Sequence, residues 1–117
     1  MPVTVAVGGG KVRIRLSGLA AIAALKRELR FPLSAVRAVS AGPFEERPWR
    51  VVGTSEPSSR RRYGRFRREG RRFFLALHGE QPTLLLELDP EQAGYDAIAV
   101  SLPDGDRVAA EIEAARG

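Results

Sequence analysis

The stretch Arg60–His78, RRRYGRFRREGRRFFLALH, constrains this chain more than any other. Eight arginines and one glutamate gather around a Glu69-Gly70 pair, and the chain then runs straight into Phe73-Phe74-Leu75-Ala76-Leu77. A two-residue turn containing glycine between such segments predicts a β-hairpin. Its first arm is cationic. Its second is an unbroken apolar run and predicts a strand bound into the core. Alternate residues of a strand share a face, so Arg61, Tyr63, Arg65 and Arg67 fall on one side of the first arm. Arg62, Gly64, Phe66 and Arg68 fall on the other, with Phe66 turned inward.

The flanking sequence has the same character. Val3–Val7 alternates, Gly8-Gly9-Gly10 breaks it, and Lys11–Leu16 alternates again, with Val12, Ile14 and Leu16 on one face and Arg13 and Arg15 on the other. Gly8-Gly9-Gly10-Lys11 is not a phosphate loop, which needs four residues between its glycines and a Ser or Thr after the lysine; Val12 follows here. From Ser17 to about Arg27, Leu19, Ile22 and Lys26, with Ala23 and Leu25, have helical spacing. Glu28–Phe31 and Ala35–Ala41 read as strands around a Pro32 turn. Gly42–Arg50 reads as a Pro-rich loop whose Phe44 and Trp49 either fold back as a lid on the core or stand out as binding aromatics. Val51–Thr54 is a brief strand and Ser55–Ser59 a loop. Thr83–Leu88 and Tyr95–Leu102 are further strands, separated by the loop Asp89–Gly94. Pro103-Asp104-Gly105-Asp106 opens a final helix, with acids where a helix N-terminus favours negative charge. Val108, Ile112 and Ala115, with Ala109, form its apolar stripe, and Arg107, Glu111 and Arg116 face water. Many short strands followed by one amphipathic helix predict a mainly β sandwich or barrel with a helix closing one end.

A chain of 117 residues suits one domain, spanning 1–117, able to bury roughly two thirds of its unfolded surface. It has no cysteine, which removes disulfides and thiolate metal sites and fits a reducing cytoplasm. Gly18–Leu25 is far too short for a membrane span, and Met1-Pro2-Val3-Thr4 lacks the features of a signal peptide, so neither an anchor nor export is expected. Charge is divided unevenly. Residues 1–72 hold 17 Arg and Lys against 5 acids, net +12, and residues 73–117 hold 2 against 9, net −7. Such polarity steers an anionic partner to one side, unless the two halves interleave and neutralise each other.

Catalytic chemistry is hard to assemble from these residues. His78 is the sole histidine, so any Ser–His unit must use it, and it ends an apolar strand beside a glycine. Asp104-Gly105-Asp106 is too short for a calcium loop, and Glu45-Glu46 stands in a loop with Arg47. No enzyme, metal or cofactor is expected. The arginines are the strongest feature. Arg60, Arg61, Arg62, Arg65, Arg67, Arg68, Arg71 and Arg72 can form one cationic surface that grips phosphates or an acidic protein. The candidate anion- or partner-binding residues are Arg61, Arg62, Tyr63, Arg65, Arg67, Arg68 and Arg71, with Tyr63 the aromatic beside the charge. The competing reading is a charged strand that blocks edge-to-edge aggregation and pairs with Glu69, Glu80, Glu87 and Glu91.

Several strings resemble the bacterial pleckstrin-homology-like (PH-like) domain family: Arg30-Phe31-Pro32-Leu33-Ser34-Ala35-Val36, Tyr63-Gly64-Arg65-Phe66 with Gly70–Phe74, and Thr83–Leu88 followed by Tyr95–Leu102, Pro103 and the helix. The resemblance implies a strongly bent antiparallel sheet or barrel capped by a C-terminal α-helix, here with a short helix near residues 18–27. Eukaryotic phosphoinositide-binding members carry basic residues on the first hairpin. Lys11, Arg13 and Arg15 match that position most nearly and form a secondary candidate site. Those members also place a tryptophan in the terminal helix, whereas the single tryptophan here is Trp49. The implied role is a cytoplasmic, non-enzymatic binding or scaffolding module that acts through protein contacts. The alternative is peripheral binding of an anionic lipid headgroup or nucleic acid through Arg60–Arg72. Self-association is left open.

Overall fold

A computed structural model describes residues 3–18, 21, 24, 26–46, 48–56, 61–78 and 83–116. The chain is mainly β with a C-terminal helix. Its strands are β1 (Val3–Gly8), β2 (Lys11–Leu16), β3 (Glu28–Pro32), β4 (Val36–Gly42), β5 (Trp49–Glu56), β6 (Arg61–Arg68), β7 (Arg71–Leu77), β8 (Thr83–Leu88) and β9 (Ala97–Ser101). A 3-10 turn spans Leu33–Ala35. The helices are α1 (Pro90–Ala93) and α2 (Gly105–Arg116).

The strands form two sheets, a small one ordered β1-β2-β3 and a large one ordered β4-β8-β9-β7-β6-β5. Neither closes into a barrel among the described residues. One ladder departs from the antiparallel expectation: β9 lies between β7 and β8 and runs parallel to β7, with Phe73 opposite Ala97 and Ala76 opposite Val100. The composition of these central strands explains the placement. β7 (Phe73 to Leu77) and all of β9 are buried on both faces, so neither can sit at an edge.

The small sheet and α2 pack on one face of the large sheet. Val12, Ile14, Leu16, Leu29 and Phe31 meet Phe74, Ala76, Leu84, Leu86, Ile98 and Val100, while Val108, Ala109 and Ile112 close the end. Each fully buried Phe or Leu side chain stabilises the fold by about 1.5–3 kcal/mol. Ala115, expected on the helix's apolar stripe, is exposed; Gly105 takes the inward position one turn before Val108 and Ala109. A second core occupies the other face, where Phe66, Phe73, Leu75, Leu77, Ala97 and Ala99 gather with Phe44.

Around Ser17–Arg27, Ala21 and Ala24 have helical backbone and Ala24 is buried, while Gly18 stands in the left-handed region (φ 57°); Leu19, Ile22, Ala23 and Leu25 lie outside the described residues. β5 is longer than the sequence implies. Trp49, Arg50, Ser55 and Glu56, read as loop, pair with Arg67, Phe66, Arg62 and Arg61. The segment read as a loop at Asp89–Gly94 contains the one-turn α1. Asp89 accepts from the Glu91 amide and from Gln92 Nε2, and Gly94 ends the turn in the left-handed region.

Candidate binding cleft

The site begins with the hairpin. Arg68 pairs with Arg71 across a turn in which Glu69 (φ 52°) and Gly70 (φ 79°) both adopt positive φ, as a two-residue turn matched to strand twist requires. Directly opposed residues share a face, so Arg67 and Arg72 stand together on the core side of the sheet, and Arg68 and Arg71 on the other. Like charges directly opposed cost about 0.2–1 kcal/mol per pair, so how each pair is compensated is informative.

Arg71 is compensated. Its guanidinium donates to Glu87 at 2.8 Å and to Glu46 at 3.3 Å, and it lies 5.0 Å from the centroid of the Phe73 ring. Arg62, on the same face, donates to the Glu46 carbonyl at 3.2 Å and lies over Phe44, 5.2 Å from its centroid. Phe44 packs edge-on against Phe73, 6.2 Å between centroids. Thus Arg62 and Arg71 fasten the loop after β4 across the second core, and Phe44 is the lid aromatic. Of the acids expected to pair with the hairpin, Glu87 does so; Arg60 and Glu80 lie outside the described residues.

Tyr63 is 8% exposed and packs in the main core with its ring stacked on His78, centroids 6.4 Å apart. Burial pushes its phenol above the ordinary value, against a smaller opposing pull from Arg61. It presents no ring to solvent beside the arginines. His78 donates its amide to Ser101 Oγ at 3.1 Å, and its ring Nδ1 is buried without a hydrogen-bond partner among the described residues.

The secondary candidates lie on the small sheet, outside the hairpin, on a face that adjoins the cleft through Glu28 and Arg30. Lys11, Arg13 and Arg15 lie on the outer face of the small sheet, and Arg13 is directly opposite Arg30 of β3. Glu28 spans Arg13, Arg15 and Arg30 at 3.5, 3.5 and 3.2 Å, compensating that repulsion too.

Arg67 and Arg72 differ. Among the described residues no carboxylate lies within ion-pair distance of Arg65, Arg67 or Arg72. These three line a cleft of about 390 Å³ between the sheets, facing Lys26, Glu28 and Arg30 across it, with Ala93, Gly94 and Tyr95 also on its wall. Five cations therefore face one carboxylate, and that carboxylate is already shared among three arginines. Arg72 is held by Asp96, whose carboxylate accepts from the Arg72 amide at 2.8 Å and whose amide donates to the Arg72 carbonyl at 2.8 Å. Tyr95 packs edge-on against Phe74 with centroids 5.6 Å apart. Burial raises its phenol, with Arg65 and Arg72 pulling it back. The outer rim belongs to β5. Trp49, directly opposite Arg67, is 79% exposed, and Val51, which lines the cleft, is 60% exposed.

The structure therefore brings Arg65 and Arg67 to the cleft and leaves Arg61 and Arg68 exposed outside its lining. Sequence reasoning missed Lys26, Arg30 and Tyr95, which arrive from other strands and loops. It placed Trp49 in a loop; the tryptophan stands on an edge strand beside the arginines. Among the described residues no group of three or more His, Asp or Glu side chains is arranged to hold a metal, and no helix is long and apolar enough to cross a membrane. Comparison with protein-family models, curated proteins and solved structures finds no match to this chain.

Proposed function

We propose that this chain is a non-enzymatic binding module of the PH-like kind that captures an acidic segment of a partner protein at the cleft between its sheets. The observation that carries the reading is the uncompensated Arg67–Arg72 pair. The fold neutralises Arg13 and Arg30 through Glu28, and Arg71 through Glu46 and Glu87, yet among the described residues no carboxylate lies within ion-pair distance of this pair's guanidinium groups. Unrelieved repulsion inside a cleft lowers stability until an anion enters, and the relief then adds to affinity. A concave site of this kind suits a carboxylate-bearing segment. A nucleic-acid strand needs an extended cationic track with a series of stacking rings; here Tyr63 is buried and Trp49 is the one fully exposed ring beside the arginines among the described residues. The β-rich architecture with its terminal helix supports the PH-like reading; the parallel β7–β9 ladder departs from it.

The test is binding of a fluorescent oligoglutamate by anisotropy at low and high salt, with the variant Arg65→Gln/Arg67→Gln/Arg72→Gln. At about 1 kcal/mol per arginine, the triple variant loses ~100-fold in affinity, while its denaturant midpoint holds or rises. Equal binding by wild type and variant overturns the reading. Salt-sensitive retention of anionic vesicles or an oligonucleotide, with none of oligoglutamate, moves the site to those partners.

A further inference from the structure

Resting on that reading, we infer that the acidic partner binds as an extended strand added to the free edge of β5. β5 pairs with β6 alone and is the last strand of the large sheet. Helices lie against the other edge strands, α2 against β4 and β1 and α1 against β3, whereas β6 is the one described element that packs on β5 to more than a slight extent. A bare edge presents a row of unpaired amides and carbonyls, the template for strand addition.

The side chains of β5 point the same way. Trp49 and Val51 are the exposed large hydrophobic residues of the described chain, and they lie two positions apart on this one strand. The register shift between Arg50 and Val52 accommodates Val51 as a bulge, and Val51 lines the cleft with Arg65 and Arg67. An added strand thus covers two apolar side chains on its cleft face. It lies two strand spacings from β6, about 9.6 Å, within reach of a guanidinium meeting a glutamate on the same face. Alternating acidic and apolar residues satisfy both.

The competing occupant, a second copy of β5, answers the arginines less well: its one Arg50 and one Glu56 cancel, so it brings no surplus of acids to Arg65 and Arg67. The bulge and the bend at Gly53 (φ +120°) also deter a rigid flat edge, while a flexible segment can follow them.

The full chain is titrated with a peptide of alternating Glu and Val, matched to the eight residues of β5, and with two isomers N-methylated at alternate amides, one on each edge. Trp49 is the only tryptophan, so its emission reports the site directly. Strand addition predicts a blue shift and protection from acrylamide with the parent peptide. It also predicts near-parent binding by one isomer and roughly tenfold or greater loss by the other, whose methyl groups remove the donors facing β5. Equal binding by both isomers overturns strand addition while leaving acidic capture intact. No binding by any of the three peptides, nor by oligoglutamate at low salt, overturns the functional reading itself. A Trp49 shift with single-stranded oligonucleotide and none with peptide also overturns the inference.

Discussion

Gly64→Ala tests whether β5 is held where the cleft needs it. Gly53 and Gly64 are directly opposed across β5 and β6, at φ +120° and +123°. A Cβ on Gly64 meets the Val52 carbonyl oxygen at 2.1 Å and Gly53 Cα at 2.8 Å. Ordinary contact begins near 3.4 Å, so the Val52 oxygen must retreat by 1.3 Å (3.4 − 2.1). A retreat of that size breaks the local ladder bonds, at about 1 kcal/mol each. The backbone conformation, which L side chains rarely adopt, adds about 1–3 kcal/mol. Peeling of β5 caps the total, because the strand buries little of its own. The expected loss is about 2–4 kcal/mol, a large share of the 5–15 kcal/mol typical of a domain. Urea unfolding is followed by circular dichroism for the whole chain and by Trp49 emission for β5. The Trp49 transition should move to lower urea at least as far as the global one. Gly53→Ala/Gly64→Ala should cost less than the sum of the two single changes, since both act on one contact. A Gly64→Ala protein within about 0.5 kcal/mol of wild type, with Trp49 emission unchanged, refutes the close-approach argument.

Other consequences are smaller or lie elsewhere. Phe44→Ala uncovers Phe73 and should cost about 1–3 kcal/mol, below the 3–5 kcal/mol of a fully buried Phe. Glu46→Ala should cost under about 1 kcal/mol, because Glu46 and Arg71 are both partly solvated; the reverse order in denaturant melts contradicts the lid assignment. Burial raises both tyrosines, so an absorbance titration of the folded protein should lag that of the unfolded chain. Above the ordinary value of 10.0 the unfolded chain loses these protons first. Their contribution to stability is therefore complete below pH 10 and declines as pH climbs through the raised folded values. Arg65→Gln/Arg72→Gln should move Tyr95 further upward, since those cations pull it down; a downward move contradicts the cleft geometry.

Much of the fold is written in local patterns. The alternations of β1 and β2, the Glu69-Gly70 turn and the acids at the start of α2 each act over a few residues, and each forms where its pattern indicates. Strand order is different, because a period of two says which face is buried and nothing about which neighbour covers it. The parallel β7–β9 ladder left only an indirect trace, in apolar runs suited to burial on both faces. The site divides in the same way. Arg65 and Arg67 belong to one conspicuous arginine run. Arg62 and Arg71 belong to it too, and only the path of the loop after β4 reveals that they fasten Phe44. Lys26, Arg30 and Tyr95 are remote in sequence and meet the hairpin only in three dimensions.

The cleft follows from the unequal size of the sheets. Three strands cannot cover six, so part of the large sheet's core-side face must emerge beyond its cover. The side chains of β6 mark where this happens. Tyr63 is buried in the main core, and two residues on the same face turns to Arg65, then to Arg67. β7 changes on the neighbouring rung, where Phe74 is core and Arg72 is exposed. Apolar residues at these positions would enlarge the bare patch already made by Trp49 and Val51 and invite aggregation. Surface charge alone would prevent that equally well if it were balanced, as on the outer face of the small sheet, where Glu28 answers Arg13, Arg15 and Arg30. Keeping the overhang soluble therefore requires charge but does not require it to be unpaired. Among the described residues the arginines of this ledge have no ion-pair partner; solubility leaves that imbalance unexplained, and the proposed anion capture would account for it.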